Sequence, residues 1–278
     1  MDRLDAFTAI AAQASRGELN FPSNVNATLR LQQLLNDPDC HVESAAKLIQ
    51  ANPLLAARTV AIANSVAYNR SGSDITSVRS AVQRLGVRTL QSLVAALIVR
   101  QIGSEITNPL LRQKVDQLWE HTAHVAALAQ VIARRVTHLD SETALFAGIM
   151  HEVAGFYMLS CAGDYPEIMD GEPEDWVDHG EIEIGRGVLK RLGVPEGVFQ
   201  GIEAMWVGLR ALPPETLGDT LLLANDLSPV LSPLYEPTTL STERSARSID
   251  FLMGEGSLHD VMLESAEEVR SLYTVLMM

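Results

Sequence analysis

Residues 108–136, NPLLRQKVDQLWEHTAHVAALAQVIARRV, decide the fold class of this chain. Asn108 has a side chain that can cap a helix, and Pro109 suits the first helical position because its ring presets φ and its missing N–H is not needed there. Apolar residues then recur with the spacing of one helix face, which predicts one long amphipathic helix. They are Val115, Leu118, Trp119, Val125, Ala129, Ile132 and Val136.

The same signals extend outward from this helix in both directions. Asn52-Pro53 repeats the cap-plus-proline device, and Ser77 can cap a helix that Gly86 would end in a left-handed conformation. Asp140 can cap a helix that we expect to carry His151. Aromatic residues are only 5% of the chain, and no β-branched run alternates with polar residues. The sequence therefore predicts an all-α, multi-helix protein.

Three segments follow from the turn signals and the composition. We expect residues 1–20 to form an N-terminal helix that packs on the main domain, and residues 21–212 to form that domain. Residues 213–278 should add helices to the same core, over 216–227 and 257–278. Between these, proline, serine and threonine are frequent, which predicts an exposed loop near 228–247.

Composition and charge exclude several functional classes. The chain has 278 residues, of which 47% are hydrophobic, so it can bury a large core. A formal net charge of -14 argues against binding to a phosphate backbone. Cys40 and Cys161 form no CxxC pair, so neither a disulfide framework nor a cysteine zinc site is expected. With no signal peptide and no membrane span, since the apolar stretch Leu90–Val99 is too short for one, we expect a cytoplasmic protein.

Four residues have the chemistry of a metal site: His121, His151, Glu152 and Asp226. Imidazoles and carboxylates that converge from different helices can hold a divalent ion, which can activate water for attack on phosphorus. A single histidine on an amphipathic helix is more often a core residue, and neighbours on a regular helix project about 100° apart. Only a local bend, or an ion to one side, would let His151 and Glu152 reach the same point. From the residues alone, both interpretations stay open.

The stretch from Phe21 to about Trp206 resembles the HDOD family, the HD-related output domain of bacterial signalling proteins. The specific feature is an Ala-Asn-Ser-x-x-Tyr element followed by an Ala-Val-x-x-Leu-Gly element. These elements and the family's opening lie at Phe21-Pro22-Ser23, Leu34-Leu35-Asn36-Asp37-Pro38-Asp39, Asn52-Pro53-Leu54-Leu55, Ala63-Asn64-Ser65-Val66-Ala67-Tyr68 and Ala81-Val82-Gln83-Arg84-Leu85-Gly86. The resemblance implies a bundle of helices related to the HD phosphohydrolases.

The second half resembles the HD phosphohydrolase core. In that resemblance His121 matches the first metal-binding histidine, His151-Glu152 matches the His-Asp pair, and Asp226 matches the distal aspartate. The resemblance thus implies a site for a divalent ion such as Mn, Fe or Mg.

The chain departs from the phosphohydrolase pattern at several places. Glu152 replaces an aspartate, and Glu181 and Met205 stand where relatives have further histidines. Ala154-Gly155 occupies the place of a glycine and a basic residue. With these ligands and this cation missing, we expect no resident cofactor and no competent dinuclear hydrolase.

The expected function is a non-enzymatic module of bacterial signal transduction that acts on partner signalling proteins, with no nucleic acid and no membrane. A metal-dependent phosphohydrolase with a degenerate site is the alternative. The apolar C-terminal helix is one surface through which the chain could self-associate.

Overall fold

The computed structural model describes residues 2–69, 72–169, 171–172, 174–208, 211, 213–235 and 257–278. Within these ranges every regular element is helical, which confirms the all-α prediction. Short π-helical and 3-10 turns lie at Ala133–Thr137, Cys161–Gly163 and Pro166–Met169. The α-helices are α1 (Arg3–Ser15), α2 (Ser23–Leu35), α3 (Val42–Gln50), α4 (Pro53–Ala63), α5 (Val78–Ile102), α6 (Pro109–Ile132), α7 (Ser141–Met150), α8 (Val153–Ser160), α9 (Glu174–His179), α10 (Glu181–Arg191), α11 (Glu196–Val207), α12 (Leu217–Asp226) and α13 (Ser257–Met277).

The centre of the fold is the pair α6 and α7, which pack closely along their lengths. Helix α5 packs against α7 on one side and against α2, α3 and α4 on the other, while α12 and α13 cover α6. A closer approach of α6 and α7 is possible because residue 148 is a glycine. A Cβ atom at Gly148 would lie 2.5 Å from the Cα atom of Ala126 in α6.

The capping residues that the sequence indicated have the expected roles. The Asn108 side chain accepts hydrogen bonds from the backbone N–H groups of Leu110 and Leu111, at 2.9 and 3.3 Å. The Asp140 carboxylate accepts one from Thr143 N at 2.7 Å. These side chains satisfy N–H groups that have no partner within the helix, and so they fix where α6 and α7 begin.

Gly86 interrupts α5, as the sequence predicted. Its φ of 74° and ψ of 170° lie outside the helical region, so α5 is two helical segments joined at a kink. Left-handed φ values of this kind favour glycine because it has no Cβ atom. The segment after the kink contains Leu90–Val99, and nearly all of that stretch is buried, which confirms it as a core helix.

The helix expected to carry His151 ends one residue earlier, at Met150. His151 and Glu152 form the turn between α7 and α8, and Glu152 has a φ of -102° and a ψ of 11°. The expectation that the pair lies on a regular helix is therefore wrong. This local bend is one of the two arrangements that would let both side chains reach one point.

Two segments are long and apolar enough to pass a composition test for a membrane span, Val78–Ile102 and Ser141–Gly163. In the fold, 67% and 89% of their most apolar windows are buried inside the protein. Core helices of a folded domain pass the same test, and the packing of both segments is of that kind.

The N-terminal and C-terminal helices both pack on the main domain. Helix α1 contacts α9 and α10, and α13 contacts α6 and α4. The segment expected to be an exposed loop near 228–247 is described only up to Tyr235. That part differs from the expectation, because Ser228, Ser232 and Leu234 are buried. Residues 236–247 lie outside the described ranges.

Candidate metal centre

Three of the four predicted metal ligands come together in the structure. One ligand atom each from His121 on α6 and from His151 and Glu152 in the α7–α8 turn lie within 4.8 Å of one another. The two Nε2 atoms of the histidines are 3.4 Å apart, and Glu152 Oε1 is 3.9 Å from His121 Nε2. The three residues are only 1–3% exposed.

The tautomers of the two histidines follow from their backbone contacts. His121 Nδ1 lies 2.7 Å from the carbonyl oxygen of Val230, and His151 Nδ1 lies 2.7 Å from that of Gly148. A carbonyl oxygen can only accept, so both Nδ1 atoms carry the proton and donate it. In the neutral rings both Nε2 atoms are then acceptors that face each other. Histidines that bind metals are typically oriented by such a bond from the other ring nitrogen.

Burial sets the protonation of the cluster. It lowers the pKa of His151 to about 3, with a further decrease from the nearby His121. It also lowers the pKa of His121, against the opposing effect of the hydrogen bond to Val230. The pKa of Glu152 is raised to about 8 by burial and by the charge of Glu181. The close approach of His121 and Glu152 is therefore not an ion pair at neutral pH, since neither group is charged on its own.

Residues 228–235 cover the cluster. Besides the Val230 carbonyl on His121, the Ser228 hydroxyl donates to the same carbonyl at 2.8 Å. Ser232 forms a side-chain hydrogen bond with Glu152. Leu234 packs over Gly155 so closely that a Cβ atom there would collide with its side chain. Gly155, which stands where a basic residue was expected, therefore makes room for this covering segment.

Glu181, at the start of α10, adds a second buried carboxyl group next to Glu152. It is 6% exposed, and the hydroxyl of Tyr235 donates a hydrogen bond to it. Burial raises the pKa of Glu181 to about 7, against the effect of this hydrogen bond. Because carboxyl groups in such surroundings resist ionisation, Glu181 does not replace a neutral histidine ligand without a change in the charge of the site.

Asp226, the fourth predicted ligand, is not part of the cluster. It is the last residue of α12, and its neighbour Asn225 is the one whose side chain forms a hydrogen bond with His121. Sequence reasoning also missed Ser232 and Tyr235. Leu234 and Tyr235 are apolar and aromatic residues within a stretch rich in proline and serine, and this was the available signal that the stretch packs inward.

Met205 and Trp206, which stand where a paired histidine was expected, contribute packing. Trp206 lies over Gly185, where a Cβ atom would be 2.5 Å from the indole ring. The second half of a dinuclear site therefore has no ligands at this place among the described residues.

The donor set fits a single divalent ion. Two nitrogens bound to one tetrahedral ion at about 2.0–2.1 Å lie about 3.3–3.4 Å apart, and the two Nε2 atoms are 3.4 Å apart. Two facing acceptors have no proton between them unless one ring is charged, so a cation would satisfy both. His121, His151 and Glu152 would hold it. When bound, such an ion polarises a phosphoryl group or lowers the pKa of a water molecule.

Solved structures share this fold over almost the whole chain. A provisionally named metal-dependent phosphohydrolase from Shewanella amazonensis SB2B has a TM-score of 0.75 and 20% identity, with 98% of each chain covered. A second protein from that organism, provisionally named a phosphohydrolase, has a TM-score of 0.64 and 21% identity over 96% of this chain and 98% of the other. An HDOD domain protein of unknown function from Geobacter sulfurreducens has a TM-score of 0.62 and 20% identity, covering 99% and 97%. No curated protein matches the chain.

These matches define an all-α protein of the HD-related fold. The sequence profile of the HDOD domain matches residues 21–180. The chain belongs to the HDOD family, as the resemblance of its first half predicted.

Proposed function

We propose that this chain is a regulatory module of bacterial signal transduction that acts by binding partner proteins and turns over no substrate. The observation that carries the proposal is the closure of the metal-type cluster. The side chains of His121, His151, Glu152 and Glu181 are 1–6% exposed, and residues 228–235 cover them. A phosphoester would need room beside these groups.

The charge of the cluster supports the same conclusion. Phosphoryl transfer needs cations or metal ions around the transferred group. Here Glu181 adds a second carboxyl group beside Glu152, and Ala154-Gly155 provides no cation. An ion held by His121, His151 and Glu152 would then join α6 to the α7–α8 turn and stabilise the fold.

The second candidate function is a metal-dependent phosphohydrolase. The facing Nε2 atoms, 3.4 Å apart, favour it, because they fit one divalent ion. Two of the structurally similar proteins carry phosphohydrolase names, which brings the same activity to this chain as a hypothesis.

Metal content and turnover together separate the two. The purified protein is loaded in turn with Mn²⁺, Fe²⁺ and Mg²⁺, its bound metal is measured by elemental analysis, and hydrolysis of bis(p-nitrophenyl) phosphate is followed. We expect no turnover above that of His151→Ala, whatever the metal content. His41→Ala is the matched control, because His41 is exposed and its side chain caps no helix.

Turnover that is lost in His151→Ala and retained in His41→Ala would overturn the regulatory proposal and establish the hydrolase. Metal that is stoichiometric in the wild type and absent in His151→Ala, without turnover, would assign the ion a structural role. In that case we expect partner binding, measured by pull-down, to survive His151→Ala once its fold is verified by circular dichroism.

A further inference from the structure

A second cavity, of about 510 Å³, lies on the face of the molecule where α4, the end of α5 and the first half of α6 meet. Its described lining contains three arginines, Arg58, Arg100 and Arg112, and a single acidic side chain, Asp116. The chain as a whole has a net charge of -14. This cavity is therefore a local concentration of positive charge in an acidic protein, and the function proposed above does not use it.

Arg58 is the most unusual of the three. It is 3% exposed, its Nε atom has no hydrogen-bond partner, and its guanidinium forms no ion pair or hydrogen bond with any described residue. Buried charges are usually paired, since an isolated one loses its hydration without compensation. Burial and the nearby Arg100 lower the pKa of Arg58 to about 10, which leaves it charged at neutral pH.

The other two arginines are held in place but not neutralised. Arg100 donates to the carbonyl oxygen of Met277 at 3.3 Å, and its guanidinium lies 5.5 Å from the ring centre of Trp119. Arg112 donates from Nε and Nη2 to the carbonyl oxygen of Ile106, at 3.3 and 2.8 Å. Carbonyl and ring contacts fix the direction of a guanidinium and leave its charge available. In the part of the chain that the structure describes, no carboxylate pairs with either arginine.

Apolar side chains form the remaining walls. Leu54 is 45% exposed, and Val115 and Phe156 also line the cavity. Planar guanidinium groups bind phosphate and carboxylate through two parallel hydrogen bonds. Next to apolar walls, they suit a molecule with an anionic head and an apolar body.

We propose that this cavity binds a small organic anion, with its phosphate or carboxylate head on Arg58 and its apolar body against Leu54 and Val115. Arg100 and Arg112 add positive charge around the head. The unpaired guanidinium of Arg58 is then the group that the ligand satisfies. The proposal is independent of whether the histidine cluster holds an ion.

The direct test is titration of the full chain with phenyl phosphate, followed by calorimetry and by the thermal midpoint. Benzoate tests a carboxylate head on the same ring, inorganic phosphate tests a head without a body, and benzyl alcohol is the neutral control. We expect phenyl phosphate or benzoate to bind and raise the midpoint, inorganic phosphate to bind more weakly, and benzyl alcohol to have no effect. If no anion binds the wild type, or benzyl alcohol binds as well as the anions, the proposal is wrong.

Arg58→Met separates a ligand-binding arginine from a structural one. Because Arg58 has no partner, methionine removes an uncompensated buried charge and should raise the thermal midpoint of the free protein. The same change should weaken phenyl phosphate binding by at least about tenfold, the effect of one lost charged contact. Arg30→Met, at an exposed arginine of α2, is the matched control and should leave binding unchanged.

Arg58→Lys provides a second measurement that does not depend on how the methionine variant folds. Lysine keeps the charge but lacks the planar fork, so we expect affinity between those of the wild type and Arg58→Met. Wild-type affinity in both Arg58 variants would show that the anion binds elsewhere and would overturn the proposal.

Discussion

The two ends of α7 each lie in a buried polar cluster, and the clusters are built on opposite principles. At the start of α7, the Glu142 carboxylate accepts hydrogen bonds from Tyr68 and Thr89 at 2.7 Å and from Gln130 at 3.0 Å. Just beyond its end, His151 faces His121 with acceptor against acceptor.

This difference separates a structural network from a site that needs something added. In the Glu142 network the hydroxyls of Tyr68 and Thr89 and the amide of Gln130 all donate to an acceptor, and only Gln130 Oε1 lacks a partner. In the histidine cluster the two protons are used on backbone carbonyls, which leaves the inner atoms without a donor. A network of matched groups holds α4, α5, α6 and α7 together. Unmatched acceptors point to an ion.

The largest expected effect is at Gly148, which lies between the two clusters on α7. An alanine Cβ would be 2.5 Å from the Cα atom and 3.1 Å from the nitrogen atom of Ala126, and backbone atoms cannot move aside as a side chain can. Gly148→Ala should therefore force α6 and α7 apart and reduce the free energy of unfolding by about 3 kcal/mol. Urea denaturation measures it.

Gly197→Ala is the matched control for that change. Gly197 lies in the first turn of α11, and a Cβ atom there would have nothing within 4 Å. Alanine should leave the protein as stable or stabilise it by about 0.5 kcal/mol, because it favours helix more than glycine does. Equal losses at both positions would mean that the α6–α7 contact is not what Gly148 provides.

The next largest effect tests the matched network. Glu142→Ala leaves the donors of Tyr68, Gln130 and Thr89 without their acceptor, and we expect a loss of about 2–3 kcal/mol in the free energy of unfolding. Glu142→Gln keeps an acceptor oxygen in place and should cost less than about 1 kcal/mol. If the glutamine variant lost as much as the alanine variant, the negative charge of Glu142, and not its hydrogen bonds, would stabilise this end of α7.

The elements of the fold were predictable because their signals are local. Asn108, Asp140 and Gly86 have the roles that their chemistry indicated, since a cap or a left-handed turn depends on a few neighbouring residues. The Asn-Ser-x-x-Tyr element identified the family without revealing its contacts. In the structure Asn64 exchanges two hydrogen bonds with the backbone of Ile75, and Tyr68 reaches Glu142.

The site was predictable only in part because it depends on how distant segments meet. The resemblance selected His121, His151 and Glu152, which converge, and also Asp226, which does not belong to the cluster. No local pattern announces that the carbonyl of Val230 would orient His121 across 109 positions of sequence. The composition of that segment suggested exposure, while its contacts bury it.

A smaller effect, and one that depends on pH, is expected at Glu181 beside the histidine cluster. Burial raises the pKa of this carboxyl group from 4.5 to about 7 in the folded protein. The folded state thus binds this proton more tightly than the unfolded state, so its contribution to stability is full below pH 4.5 and is lost as pH rises through about 7. Glu181→Gln cannot titrate, so its stability relative to the wild type should increase by on the order of 1–2 kcal/mol across that interval.

Urea denaturation at several pH values measures this difference. Glu183→Gln, on the same helix and exposed beside Arg186, is the matched control and should change nothing in that interval. A wild-type curve parallel to that of Glu181→Gln would show that Glu181 is ionised in the folded protein at neutral pH, and the histidine cluster would then carry more negative charge than proposed.

The smallest effect concerns the cap of α7, at the end that holds the matched network. Asp140 both accepts from Thr143 N at 2.7 Å and pairs with Arg88 at 2.7 Å, but the side chains of that ion pair are 70% and 47% exposed. Exposed pairs contribute little because water and salt screen them. Asp140→Ala should therefore cost about 1 kcal/mol, and Asp140→Asn, which keeps the capping oxygen and loses the charge, less than about 0.5 kcal/mol. Denaturation at low and high salt distinguishes the two contributions. If asparagine cost as much as alanine and salt removed the difference from the wild type, the ion pair would hold this end of α7, and the contrast between its matched hydrogen bonds and the unmatched histidines would be weaker than the geometry indicates.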